Sequence, residues 1–169
     1  VLAVAFYLLW FVGYQHYLAA DGRLDAALTH NLATASAAGL RWLGYAATVT
    51  GSRNEPLVSL WGQPAVLIGN PCNGLVLYAL FSGFILAFPG AGRRKWWFIP
   101  LGIGLIYGLN ILRIIGLCLN SYYAHDSLEF NHHYTFVIVV YAGIFVLWMW
   151  WVTRLAPRFT VAAPAYEPA

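Results

Sequence analysis

Between Trp96 and Leu119 the chain reads WWFIPLGIGLIYGLNILRIIGLCL. That run exceeds the ~20 residues a helix needs to cross the hydrocarbon core of a bilayer, and its only strongly polar side chains are Asn110 and Arg113. The other residues follow the same pattern: 61% are hydrophobic and 9% charged, and the mean hydropathy is +0.66. A soluble domain carries roughly 25% charged residues, and a water-soluble fold of 169 residues cannot hide this much apolar surface. Lipid is the solvent implied.

Working outward, Gly74–Phe88 is apolar and stops at Pro89-Gly90, Tyr134–Val152 is apolar and precedes Arg154 and Arg158, and Val1–Ala20 carries only Gln15 and His16 as strongly polar residues. These blocks predict an all-α polytopic membrane protein, one integral membrane domain over 1–169, with about four spans at 1–20, 74–88, 96–119 and 134–152. The first block also fits a signal peptide, with Leu18-Ala19-Ala20 as a poor cleavage site before Asp21. Residues 21–73 form an outward segment in this scheme. Leu24, Leu28, Leu32, Leu40 and Leu43 recur near helical spacing within Asp21–Glu55, which predicts an amphipathic helix lying on the membrane, or else a marginal span. The short apolar runs Leu57–Leu60 and Ala65–Ile68 flank Trp61-Gly62-Gln63-Pro64 and predict a small β-hairpin, with Pro64 confining one strand to an edge.

Charge orients the spans. Arg93-Arg94-Lys95 is the one dense basic cluster, and Arg154 and Arg158 follow the last span. Both belong in the cytoplasm by the positive-inside rule, and the two spans between them bring the chain back to the same side. Cys72 and the Asn120–His133 loop then face outward. The net charge of +3 and pI near 9.0 are explained by these span-end cations, so no nucleic-acid partner is implied.

Three polar features from separate segments converge on that outer side. Asn70-Pro71-Cys72-Asn73-Gly74 reads as a helix start, with Asn70 at the N-cap and Pro71 at the first helical position. Cys72 would then sit in the first turn, where the helix dipole favours the nucleophilic thiolate and free backbone N–H groups can face an oxyanion. Arg113 lies inside an apolar run at a cost of at least ~2.5 kcal/mol, which calls for a partner or a wet cavity. Asn110, one turn earlier on the same helix face, can hold its guanidinium, and the arginine can snorkel outward from about seven residues before Asn120. His132 and His133 open the last span, and either imidazole can take a thiol proton and return it to a leaving amine. Each residue alone has a plainer role: Cys72 as a small interfacial residue, Arg113 as a headgroup anchor, the histidines as interfacial side chains. Cys118 reads as packing, with a disulfide to Cys72 as the alternative.

The order Cys72-Asn73-Gly74, then Asn110-Ile111-Leu112-Arg113, then a histidine opening the last span resembles the exosortase/archaeosortase family of membrane-embedded cysteine proteases. The likeness covers roughly the last hundred residues, and no single tripeptide would carry it. It implies a cysteine peptidase or transpeptidase, without cofactor, in a bacterial or archaeal plasma membrane with its site on the extracytoplasmic side. It also implies Cys72 as nucleophile, Arg113 as stabiliser of negative charge and His132, with His133 as alternative, as acid/base group; Asn110, Asn73 and Gly74 support them. The partners implied are membrane-anchored exported proteins with a C-terminal sorting signal. Two rival classes remain: a non-catalytic scaffold or transporter component, in which Arg113 meets a substrate or subunit, and a metal-dependent hydrolase using His125, Asp126, Glu129, His132 and His133.

Overall fold

Helix α1, Arg23–Trp42, has an acid in its first turn, Asp25, and a base in its last, Arg41, which suits both ends of the helix dipole. The computed structural model in which it is seen describes residues 22–69, 73–88, 90–123 and 136–156, the last stretch with side chains from 138 onward. The expected first span over 1–20 lies outside them. Gly44, at φ 92°, ends α1: the Tyr45 N–H reaches back to the Leu40 carbonyl at 3.0 Å and the Gly44 N–H to that of Arg41 at 3.0 Å, closing the terminal turn.

Beyond that stop the expectation of a helix reaching toward Glu55 fails. Thr48, Val49 and Thr50 are β-branched and form strand β1, Ala47–Gly51. It pairs antiparallel with β2, Pro56–Leu60, which pairs in turn with β3, Gln63–Leu67, giving a three-stranded meander in the order β1-β2-β3. The expected hairpin is therefore present, with Trp61 and Gly62, both at positive φ, making its two-residue turn. Pro64 lies on the edge strand, beside a break in register after Val58. An all-α description is corrected accordingly: the described residues are mostly helical with a small sheet.

Among the described residues three further helices follow. α2 is Leu75–Ala87, α3 is Gly92–Tyr123 with Pro100 inside it, and α4 is Phe136–Trp150, continued by a wider π-helical turn over Trp151–Leu155. Among the described residues two helices are long and apolar enough to cross a membrane, Gly92–Tyr123 and Ile138–Leu155. The span expected at 74–88 is a helix of 13 residues, about 20 Å long against a hydrocarbon core of about 30 Å. The span expected at 96–119 is longer than predicted, 32 residues, or about 48 Å.

The extra length of α3 serves a second core. Its first part packs with α2 and α4 around Phe81, Ile85, Phe98, Ile106, Ile144 and Trp151. Its later part, with Ile114 and Cys118 buried, packs with α1 and the sheet around Leu32, Leu40, Val58 and Leu60. Tyr107 touches both cores. Helix α1 thus lies against protein along α3, its Gly39 close to the Ile115 side chain. Outside the first core, Leu101, Leu105, Leu112, Ile138, Val139, Phe145 and Val146 are exposed, an apolar exterior suited to lipid.

One end of the helical bundle is sealed by cations. Lys95 Nζ donates to the carbonyls of Leu86 at 2.9 Å and Phe88 at 2.8 Å, and Arg94 Nη1 donates to that of Leu155 at 2.8 Å. The C-terminal ends of α2 and α4 therefore meet the start of α3, as the pairing of the two basic ends in sequence required, and Trp96, Trp97 and Trp150 stand exposed around this end. Helix α2 reaches α3 closely through Gly102, where a Cβ would overlap the ring of fully buried Phe81, whereas Gly104 faces open space. Gly102→Ala is expected to destabilise the purified protein by roughly 1–3 kcal/mol through overpacking. Gly104→Ala should leave its thermal transition in detergent unchanged or slightly raised, and comparing the two melting curves checks this.

Candidate functional site

At the end of the bundle away from Arg94 and Lys95, α2 begins at Leu75 with Gly74 at its N-cap in a left-handed conformation, φ 81°. The start expected at Asn70 and Pro71 is therefore displaced toward the C-terminus; those two residues and Cys72 lie outside the described residues. Asn73 supplies the cap from one position further back: its Oδ1 accepts the Leu75 N–H at 2.9 Å, satisfying one of the donors that a helix start leaves open. Its Nδ2 donates to Asp25 Oδ1 on α1. Both partners are buried, Asn73 at 3% and Asp25 at 2% exposure, and Thr29 Oγ1 ties the Asp25 carbonyl at 2.7 Å.

Across from this loop stands Asn110, 1% exposed. Its amide presses on Gly74, so closely that a Cβ there would collide with Nδ2, and the Tyr78 hydroxyl flanks the same point. Among the described residues neither the Asn110 amide nor the Tyr78 hydroxyl makes a hydrogen bond of good geometry. Asn110 therefore does not hold the Arg113 guanidinium as expected; it faces α2 instead. Arg113 is half-buried one turn further along α3, between Leu112 and Ile114, the latter packed into the core of α1 and the sheet. The helix continues for ten residues past it, from 113 to 123, or about 15 Å, so the distance expected to the helix end is corrected upward.

Of the residues expected to act together, Asn73, Gly74 and Asn110 are brought into one place, and Arg113 follows Asn110 by one turn. Cys72, His132 and His133 lie outside the described residues, as do His125, Asp126 and Glu129 of the alternative metal cluster. Among the described residues no group of His, Cys, Asp and Glu could hold a metal ion. Cys118 is free and fully buried in the core of α1, the sheet and α3, in the packing role expected of it.

The sequence reading missed Asp25 and Thr29. The leucines drew attention to a seam that is only partly real: Leu32 and Leu40 are buried, while Leu24 and Leu43 are 40% and 52% exposed. The buried face of α1 is Asp25, Thr29, Leu32, Ala33, Ser36, Ala37 and Leu40. Asp25, Thr29, Ala33 and Ala37 recur every four residues, a small and polar stripe at helical spacing that was the available signal. Gly74→Ala is expected to destabilise the folded protein in detergent by roughly 1–2 kcal/mol from the left-handed backbone alone, with the Asn110 collision added. Gly22→Ala, at φ 63° with nothing near its Cβ, supplies the backbone cost without the collision, so the larger drop in melting temperature should fall at Gly74.

The sequence signature of the transmembrane exosortases matches residues 1–153. No curated protein and no solved structure matches the chain. The matched stretch takes in α1, the sheet and the bundle together, with Asn73, Gly74, Asn110 and Arg113 inside it, and its description as transmembrane agrees with the apolar exteriors of α3 and α4. The protein is a membrane protein of the transmembrane exosortase family.

Proposed function

We propose that this exosortase is a thiol peptidase or transpeptidase that cuts C-terminal sorting signals from exported, membrane-anchored proteins on the extracytoplasmic side. The observation that carries it is the junction of Asn73-Gly74 with Asn110: two motifs 36 residues apart, from 74 to 110, meet in a buried polar spot one turn from Arg113. Buried polar side chains also hold membrane helices together; what supports a site here is that this cluster joins Asn73 and Asn110, one from each motif, with Arg113 one turn away.

In this reading Cys72, the neighbour of Asn73, attacks the scissile carbonyl as thiolate. His132, or His133 in its place, takes the thiol proton and gives it to the departing amine. The positive charge of Arg113 stabilises the tetrahedral oxyanion in surroundings drier than bulk water, where such contacts count for more. A thioester on Cys72 results, to be resolved by water or by a second amine.

Depth bears on where the substrate is cut. Counted from Lys95 to Asn110 along α3, the junction lies fifteen residues from the sealed basic end, about 22 Å. With that end at the cytoplasmic interface, a core of about 30 Å leaves the junction just below the opposite interface. The part of α3 beyond it is covered by α1 and the sheet, which in this orientation form an external cap.

Two experiments test the proposal. Cys72→Ala and Arg113→Ala should each abolish processing of a co-expressed membrane-anchored substrate, as should whichever of His132→Ala and His133→Ala removes the acid/base group. The losses should be of similar size, roughly a hundredfold or more, as for residues acting as one unit; processing that survives Cys72→Ala overturns the thiol mechanism. For the orientation, Ser52→Cys and Ala91→Cys are each placed in a chain lacking Cys72 and Cys118. A membrane-impermeant maleimide added to intact cells stripped of their outer wall should label the cysteine at 52 and spare that at 91 until lysis, and the reverse pattern would invert the topology.

A further inference from the structure

Asp25 is a carboxyl group in the first turn of α1, yet it is 2% exposed and its Oδ1 accepts a hydrogen bond from Asn73, 48 residues later in the chain. An acid near a helix start needs no burial to favour the helix, because the dipole acts on exposed carboxylates as well. Withdrawing it from water has a cost that its partners must offset. The carboxyl's Oδ1 takes one proton of the Asn73 amide, and Asn73 Oδ1 takes the Leu75 N–H at 2.9 Å, while Thr29 Oγ1 donates to the Asp25 backbone carbonyl at 2.7 Å. Gly74, between Asn73 and Leu75, is held in its left-handed conformation against Asn110.

The residue preceding Asn73 is Cys72. Consecutive Cα atoms are about 3.8 Å apart, so whatever fixes the Asn73 side chain and the Gly74 backbone also fixes the point from which Cys72 departs. A nucleophile needs placement to within about 0.5 Å, and loops supply that only when tied by neighbouring hydrogen bonds. We propose that Asp25 is a positioning residue for Cys72, acting through Asn73: α1 reaches across to lock the turn that presents the thiol. This rests on the proposed role of Cys72. It makes the outward segment part of the active-site machinery rather than a passive cover.

The test uses the full chain in detergent, with iodoacetamide as probe and the Cys72-containing peptide quantified by mass spectrometry. Asp25→Ala should slow alkylation of Cys72 at pH 7 by about tenfold, since the turn that carries the thiol is no longer held by α1. Asp25→Asn keeps an acceptor for Asn73 and should retain a rate near that of the parent. Asn73→Asp sets two carboxyl groups against each other and should slow alkylation as Asp25→Ala does. The exchange Asp25→Asn with Asn73→Asp restores both a donor for the pair and an acceptor for the Leu75 N–H, and should return the rate to within about twofold of the parent, as expected when two residues interact directly. A purely structural acid would lower thermal stability without moving the pH profile of Cys72 alkylation.

The proposal is overturned if folded Asp25→Ala protein alkylates with the parent's rate and pH profile, or, where Asp25→Ala fails to fold, if the exchange does not rescue Asn73→Asp. Failure of the proposed activity reads differently: processing would then persist in Cys72→Ala, whatever Asp25 does to the reactivity of the thiol.

Discussion

A helix in lipid gains nothing from apolar association that its lipid neighbours do not already offer, so close packing and buried polar contacts must hold such a bundle together. Here those requirements fall on the face that α2 shares with α3. At one level Gly102 lets the Phe81 ring lie against the α3 backbone; at another Gly74 lets the Asn110 amide lie against the start of α2. The two contacts are eight residues apart on α3, from 102 to 110, about 12 Å or roughly two turns of helix. Between them they fix both the distance and the register of the two helices. Asn73, Asp25 and through them α1 take their places from this register.

The irregular backbone at 73–74 follows from the same packing. Non-helical chain at membrane depth is tolerated where it is buried in protein, and Asn73, Gly74 and Leu75 are all buried. At the start of α2 the Asn73 side chain accepts the Leu75 N–H, one of the donors that a helix start leaves open, and Asp25 of α1 holds that side chain in place. The continuous α3, by contrast, needs its full length, since it serves the bundle with one part and the core of α1 and the sheet with the other.

Much of this was legible from residues. The apolar runs located α2, α3 and α4, Pro64 marked an edge strand, and the two basic ends assigned to one side in sequence are joined in the fold by the Arg94 contact to Leu155. Three things were hidden for identifiable reasons. Strand β1 was masked by leucine periodicity that the eye carries past Gly44, where the backbone turns left-handed and the helix stops. The N-cap of α2 was obscured because Asn70-Pro71 has the local chemistry of a helix start, while the later one combines the Asn73 cap on the Leu75 N–H with the tertiary tie from Asp25 to Asn73. The role of Asn110 was misassigned because spacing along one helix says which residues share a face but not which neighbour that face meets. Asp25 itself sat in a segment whose polar residues suggested solvent, and its burial depends on a partner far along the chain.

The sealing of the bundle by Arg94 and Lys95 has a consequence for biogenesis. In the orientation proposed above, the loop between α2 and α3 is held at the cytoplasmic face by its charge, and the same ammonium and guanidinium groups close the carbonyls of Leu86, Phe88 and Leu155. The signal that orients the hairpin is thus also the clasp that completes it. A hairpin threaded the other way would carry the Lys95 contacts with it, since Leu86 and Phe88 belong to the same hairpin, but would part Arg94 from the Leu155 carbonyl at the end of α4.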